Sequence, residues 1–564
     1  MQYRDLLSRW RQNVDDPALK EELDKLVAAP DEEVEDAFYQ ELSFGTAGLR
    51  GVLGAGTNRM NVHTVGKATQ GIADYLTSHP ELPASVAVCY DSRINSQRFA
   101  HVACAVLAAN GVHSFVYPRL EPTPALSFAV RHLGCGIGIN VTASHNPSEY
   151  NGYKVYGPDG CQITDSIAEG ITKAIETIDV FDDVRTMDFD DAVAQGLVEF
   201  ISEETLDAYL DAVFAQDLDP RDLPGFDGDA GLSVVYTPLN GTGLECVSRI
   251  LERIDVRDVH VVEQQAMPDG HFPTCPYPNP ENRAALELGI ELCRQVKHDL
   301  LLATDPDADR VGIAVLHEGE PRLLSGNEVG VLLLDYVCRM RTALDSMPKD
   351  PVTVTTVVSS SMVDAVAQRY GVTVRRVLTG FKYIGGQIAQ LESEGAPERF
   401  VFGFEESYGY LAGTHARDKD AVVTSMLICQ MARYYRAQGK NLYQAMQDLY
   451  AEFGFYRNET LSYSFEGVAG AHRMQELMRR VRTQPFTSIG GLNVTDVRDY
   501  ECGLDGLPSA NVVEFDLAGG CKAIVRPSGT EPKIKVYLFA YGKTKEQADR
   551  IRQEMAQDLN GLFA

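Results

Sequence analysis

The feature that most constrains this chain is a recurring junction, in which a short apolar run stops abruptly on a polar loop of unusual residues. Gly136-Ile137-Gly138-Ile139-Asn140-Val141 runs into Thr142-Ala143-Ser144-His145-Asn146-Pro147. An apolar run of that length reads as a buried strand, and Asn-Pro is a turn signal that ends it. The same junction returns where 232–236 meets Thr237-Pro238-Leu239-Asn240-Gly241 and where 298–303 meets Asp305-Pro306-Asp307-Ala308-Asp309-Arg310. It returns again where 352–358 meets Ser359-Ser360-Ser361, a run suited to capping a helix, and where 399–402 meets Gly403-Phe404-Glu405-Glu406-Ser407. Near the end, 522–525 meets Arg526-Pro527-Ser528-Gly529-Thr530-Glu531-Pro532-Lys533, followed by a strand over 534–540. Strands over 85–90 and 114–117 flank a helix that runs through Ala108. Such alternation predicts α/β layers with largely parallel pairing. Open sheets of that kind carry their chemistry at the carboxyl ends of strands.

A chain of 564 residues allows about four domains. The junctions divide it into 1–205 with the Ser144 loop, 206–322 with the aspartate loop, 323–453 with the Glu405 loop and 454–564 with the Arg526 loop. Residues 1–40 read as helices packed on the outside, with Leu6, Leu7 and Trp10, then Leu23, Leu26 and Val27, at helical spacing.

A net charge of −29 argues against general nucleic-acid binding and against docking on an anionic membrane. A small anionic substrate would need a local cluster of Arg and Lys. The eleven cysteines include no Cys-x-x-Cys pair, residues 1–10 hold no apolar signal region, and no run approaches the roughly 20 apolar residues of a membrane span. A cytoplasmic protein with reduced thiols is expected.

Asp305, Asp307 and Asp309 alternate along one loop. If that loop is extended, all three carboxylates face one way, an arrangement that is costly without a cation between them. All-oxygen ligands suit a hard divalent ion such as Mg²⁺ or Mn²⁺. A calcium EF-hand would need Gly and Glu where Arg310 and Leu316 stand. The Arg526 loop offers an Arg, two hydroxyls and a Gly-permitted backbone nest, which together make a phosphate cradle. Phe44-Gly45-Thr46-Ala47-Gly48-Leu49-Arg50-Gly51 reads equally as an anion-contacting loop or a plain one. Glu405, Glu406 and Ser407 could accept from sugar hydroxyls or equally form a solvated loop. Lys154, Lys382 and Arg417-Asp418-Lys419-Asp420 are ambiguous by themselves.

In this order and spacing, Thr-Ala-Ser-His-Asn-Pro, Asp-Pro-Asp-Ala-Asp-Arg, Phe-Glu-Glu-Ser and Arg-Pro-Ser-Gly-Thr-Glu-Pro resemble the α-D-phosphohexomutases over nearly the whole chain. The resemblance is nearest to the phosphoglucomutase and phosphopentomutase branch. It implies three related α/β domains and a smaller, distinct α+β fourth domain around a central cleft. Ser144 then matches the serine that carries a phosphoryl group, with His145 beside it. Asp305, Asp307 and Asp309 match the ligands of one Mg²⁺, and an oxygen on Ser144 completes the shell. Arg50, Lys154 and Arg310 match active-site cations, Lys154 being a candidate general acid or base. Thr379, Gly380, Lys382, Glu405, Ser407 and Lys419 match the sugar-binding side. Arg526, Ser528, Gly529 and Thr530 match the site for the phosphate that is not transferred.

Two departures bear on this. Phe404-Glu405-Glu406-Ser407-Tyr408-Gly409 lacks the histidine of dual-specificity relatives, which favours a glucose-type loop. Pro306 and Ala308 replace glycines that are common there, without removing a ligand.

The implied activity interconverts glucose 1-phosphate and glucose 6-phosphate through glucose 1,6-bisphosphate, in a monomer or weak homo-oligomer acting on sugar phosphates. Ribose or deoxyribose 1-phosphate as substrate, net synthesis of a sugar bisphosphate, a metal-dependent phosphatase and a non-catalytic sugar-phosphate sensor are the alternatives. Two phosphate dianions about 5 Å apart would repel by about 13 kcal/mol at an effective dielectric near 20, so any of these enzymes needs strong local cations.

Overall fold

The computed structural model describes residues 2–45, 48–224, 226, 231–298, 300–465, 467–528 and 533–563. Four sheets organise them. The first runs in the order Gly48–Val52, Tyr150–Tyr156, Ile137–Val141, Ser85–Tyr90, His113–Val116, Val198–Phe200. Its last four strands are parallel. Tyr150–Tyr156 returns antiparallel beside Ile137–Val141, because the Ser144 loop between them is too short for a crossover helix. Parallel pairing therefore fails at this edge, and that failure puts Lys154 directly opposite Asn140.

The second sheet follows the same logic. Leu300–Thr304 lies parallel to Ser233–Thr237, and Val311–His317 folds back antiparallel against it. The aspartate loop is thus the connection of a hairpin. In the third sheet, Phe400–Glu405 pairs parallel with Val352–Thr356 and antiparallel with Gly409–Leu411, so Glu406, Ser407 and Tyr408 form a second hairpin tip.

The fourth sheet is antiparallel throughout its six strands, from Phe455–Ser464 to Ser488–Ile489. Its strands alternate in period two. Val525, Val536 and Leu538 face the helices Gly467–Thr483 and Lys545–Phe563. Ile524, Tyr537 and Phe539 face the other way, onto Val357, Val358 and Leu378.

One continuous apolar core joins parts of the first three sheets. It includes Ala87 and Tyr117, Val234 and Leu302, and Val352 and Phe402. The N-terminal helices Gln2–Asn13, Pro17–Ala28 and Asp31–Phe38 close a separate small core around Leu7, Trp10, Leu23 and Phe38. Val27 is off that stripe and 44% exposed. Among the described residues, no helix is long and apolar enough to cross a membrane.

Some strand limits differ from the sequence reading. His298 precedes the strand Leu300–Thr304, and Val357 and Val358 leave the third sheet to pack on the fourth. Ser361 takes helical dihedrals and makes no side-chain cap. The neighbouring Ser360 hydroxyl accepts from the Met362 N–H instead, at 3.3 Å. The strand Phe400–Glu405 extends through Glu405, so that residue stands on regular backbone rather than on a loop.

Candidate active site

Ser144 sits three residues beyond the strand Ile137–Val141, with φ of 52°. A non-glycine residue in that left-handed region is held by its surroundings. Two contacts hold it. Its N–H donates to Thr142 Oγ1 at 2.8 Å. Arg93, whose side chain is fully buried, donates to the carbonyls of Ser144 (2.6 Å), Pro147 (2.8 Å) and Tyr150 (3.0 Å), and also to that of Asn146. One guanidinium thereby fixes the whole loop.

The Ser144 hydroxyl donates to Asp305 Oδ2 at 2.8 Å and lies 3.2 Å from His145 Nδ1. The aspartate loop is a turn rather than an extended segment. Ala308 has φ of 49°, and the N–H groups of Asp309 and Arg310 fold back to donate to Asp305 Oδ1 at 3.1 and 3.0 Å. The carboxylates converge because the turn closes on itself, not through strand alternation. Oxygens from all three lie within 4.8 Å of one another.

Lysines from two other domains complete the cluster. Lys154 Nζ donates to Asp307 Oδ2 at 2.7 Å and to Asp309 Oδ2 at 3.3 Å. Lys419 Nζ is 3.2 Å from Asp309 Oδ2 and 5.7 Å from the Phe381 ring centre. Thr123 donates to Asp307 twice, from Oγ1 to Oδ2 at 2.8 Å and from its N–H to the carbonyl at 2.9 Å. Even so, Asp307 Oδ1 and Asp309 Oδ1 are buried without a hydrogen-bond partner among the described residues. Buried carboxylate oxygens without donors are costly. Their convergence beside a serine oxygen fits a hard divalent cation.

The charges respond accordingly. Burial, reinforced by Asp307 and Asp309, pushes the Asp305 carboxyl well above its ordinary range. Burial acts the same way on Asp307, but Lys154 outweighs it and holds that carboxyl far below. Burial would neutralise Lys154, and Asp307 and Asp309 instead raise its pKa, so it remains an ammonium. Burial, then Arg310 and Arg50, keep His145 neutral.

The remaining candidates fall into two groups. Arg50 joins the serine loop through Asn146 Oδ1 at 3.2 Å. Arg310 is paired with Glu281 at 2.8 Å and is bridged through its backbone to Gly409, which ties the aspartate hairpin to the Glu406 hairpin. Glu405 is buried, and burial followed by Glu405 pushes Glu406 up to about 7. Ser407 lies half-buried on the tip of that hairpin.

The second group lies away from the cluster. Lys382 reaches Asp165 of the first domain at 2.7 Å rather than the carboxylates. Thr379 Oγ1 is buried without a described partner, and Gly380 takes φ of 121° to start the helix Phe381–Ser393. Arg526 is in the fourth sheet, where its charge acts on the Tyr537 hydroxyl, a group that also feels the charge of Glu406. Ser528 closes that hairpin, its N–H donating to the Lys533 carbonyl at 2.7 Å. Gly529 and Thr530 lie outside the described residues.

Sequence reasoning passed over Arg93, Thr123 and Glu281. Arg93 had a signal, since Asp91-Ser92-Arg93 follows the strand Ser85–Tyr90 in the same strand-then-loop manner. Thr123 and Glu281 had none, because only tertiary contact brings them in.

Known proteins agree with this architecture. The phosphoglucomutase/phosphomannomutase family matches in four parts: alpha/beta/alpha domain I over residues 41–181, domain II over 207–319, domain III over 325–453 and the C-terminal domain over 492–558. The phosphoglucomutase of Staphylococcus saprophyticus is 34% identical over 98% of this chain and 99% of its own. That of Staphylococcus haemolyticus is 35% identical over 89% of this chain and 91% of its own. In fold, the chain is similar to the open form of pp63/parafusin, a phosphoglucomutase from Paramecium, with a TM-score of 0.70 at 19% identity over 93% of this chain and 94% of that one. It is also similar to a phosphoglucomutase/phosphomannomutase family protein from Burkholderia thailandensis, with a TM-score of 0.67 at 17% identity over 92% and 97% of the two chains. With every domain matched in order and the serine and aspartate loops in contact, the chain belongs to the phosphoglucomutase/phosphomannomutase family.

Proposed function

We propose that this protein interconverts glucose 1-phosphate and glucose 6-phosphate, with Ser144 carrying the phosphoryl group and glucose 1,6-bisphosphate passing between the two half-reactions. One observation carries the reading. The Ser144 hydroxyl, held in a left-handed turn, meets Asp305 at 2.8 Å inside a cluster that combines unpartnered carboxylate oxygens with two buried ammonium groups. The name of the Staphylococcus relatives and the Glu405-Glu406-Ser407 stretch support glucose as the sugar.

In the first half-reaction a hydroxyl of the bound hexose monophosphate attacks the phosphorus on Ser144. The P–Oγ bond breaks, a P–O bond to the sugar forms, the sugar hydroxyl loses its proton and Oγ gains one. Transfer of this kind depends mainly on positioning and on charge stabilisation. Arg93 positions Oγ. Lys154 and Lys419, kept protonated by their aspartates, draw charge off the transferring group, and Lys154, an ammonium on Asp307 and Asp309, serves as the proton donor. A divalent cation such as Mg²⁺, held by Asp305, Asp307, Asp309 and an oxygen on Ser144, would further neutralise the phosphoryl oxygens. Glu405 and Ser407 grip sugar hydroxyls. Arg526 and Ser528 hold the phosphate that is not moving, with Thr379, Gly380 and Lys382 lining the sugar side. After the bisphosphate turns end for end, its other phosphoryl group returns to Ser144. All of these residues belong to one chain, so a monomer suffices.

The test is exchange of label from glucose 1,6-bisphosphate into protein, alongside turnover of glucose 1-phosphate and ribose 1-phosphate. Labelling at Ser144, absent in Ser144→Ala, together with faster glucose turnover is expected. Full turnover by Ser144→Ala would end the phosphoserine reading, and faster ribose turnover would make the protein a phosphopentomutase.

A further inference from the structure

The second sheet has two poles. At the carboxyl end of Leu300–Thr304 stands the aspartate loop. At the amino end, on the edge strand Asp258–Val261, a second group of potential ligands gathers: Asp258, His260 and His298, each offering an atom within 4.8 Å of the others.

Local structure explains the convergence. Asp258 and His260 are two apart on a strand and so share one face. Their partners across the ladder are Ser233 and Val235, and Val235 packs in the core formed by the helix Arg283–Val296. His298 arrives on that same face by a different route. The helix ends at Lys297 with φ of 58°, and the N–H of His298 donates back to the Cys293 carbonyl at 3.1 Å. This left-handed C-terminal motif turns the chain sharply and swings His298 under the amino end of the sheet.

The result is two imidazoles on one carboxylate. His260 Nε2 is 3.2 Å from Asp258 Oδ1, and His298 Nε2 is 3.5 Å from Asp258 Oδ2. The two rings are 4.7 Å apart, edge to face. Asp258 and His260 are about half exposed, but the His298 side chain is only 9% exposed, and its Nε2 is buried with no hydrogen-bond partner among the described residues. A buried polar nitrogen without a hydrogen bond calls for an explanation. Here it is aimed at a carboxylate and a second imidazole.

We propose that Asp258, His260 and His298 form a binding site for a divalent transition metal of the Zn²⁺ type. Two imidazole nitrogens and one carboxylate oxygen suit Zn²⁺, Co²⁺, Ni²⁺ or Cu²⁺, whereas Mg²⁺ prefers oxygen ligands throughout. The exposed side of the cluster leaves room for water as a further ligand. The seven steps from His298 to Asp305 run mostly along the strand Leu300–Thr304, which at 3.3 Å per residue separates this site from the serine cluster by about 20 Å. Its role is therefore to tie an edge strand to the end of the neighbouring helix, not to take part in phosphoryl transfer.

The test is equilibrium dialysis of the full chain against Zn²⁺ with Mg²⁺ in large excess, followed by metal analysis, and melting with and without Zn²⁺. The wild type should retain one Zn²⁺ per chain and melt higher with it. His260→Ala and His298→Ala should lose that equivalent and the rise in Tm, while keeping Mg²⁺-supported turnover and the circular dichroism of the wild type. Equal Zn²⁺ retention by the wild type and these variants overturns the proposal. If His298→Ala fails to fold, Cu²⁺ spectra of the wild type and the exposed-site variant His260→Ala decide. Loss of one nitrogen coupling in the variant supports the site, and identical spectra refute it.

Discussion

Arg93 donates to the main-chain carbonyl of Ser144 at 2.6 Å, and the same guanidinium spans the loop as far as Tyr150. A lysine could keep the charge but not the planar fork. Arg93→Lys is therefore expected to fold, since Asp91 keeps a cationic neighbour, and yet to lose about 10- to 100-fold in kcat through misplacement of Oγ. Steady-state kinetics with circular dichroism checks this.

Lys154 is buried against Asp307 and Asp309. Removing one partner of a buried ion pair costs about 3–5 kcal/mol, because the remaining charge is uncompensated. Lys154→Met should melt well below the wild type without divalent cation. Added Mg²⁺ should recover more of the deficit than it adds to the wild type, while turnover remains at least about 100-fold reduced. Melting curves across a Mg²⁺ series, together with kcat, measure both.

Thr123 comes from the first domain to hold Asp307. Partners that orient a ligand typically matter by about 10- to 100-fold in metal affinity. Thr123→Val keeps the shape and the backbone donor but loses the hydroxyl, and should raise the Mg²⁺ concentration for half-maximal activity by that factor. A Mg²⁺ titration of initial rate is the measurement.

Glu406 supplies a pH dependence. Burial, then Glu405, raise its folded pKa to about 7 from an ordinary 4.5. A raised carboxyl pKa means that the folded state binds the proton more tightly than the unfolded chain does. Its contribution to stability is full below about 4.5 and is lost as pH rises through about 7. Glu406→Gln should therefore gain stability relative to the wild type across that window and hold the gain above it. Tm measured from pH 4.5 to 8 for both proteins reads the difference, and parallel curves would contradict it.

The order of the loops along the chain, the strands that deliver them and the chemical character of each were legible from residue pattern alone, because hydrophobic periodicity and turn signals are local. The three aspartates could be singled out for that reason, and Ser144 through the resemblance its loop carries. The paths that bring them together could not. Ser144 and Asp305 are 161 positions apart, and their contact depends on two hairpin returns and on a core shared by three sheets. The same limit separates Lys419 from Lys382. Sequence leaves the role of both open, but packing puts one on Asp309 and the other on Asp165.

Sequence by itself determined which side chains this protein can bring to bear, and that the Ser144 and aspartate loops stand at the ends of strands. Tertiary structure alone decided their protonation and their partners, because burial and the charges facing a group set both, and neither is a property of neighbours along the chain. That is why Asp305 and Asp307, two residues apart with the same side chain, are pushed in opposite directions.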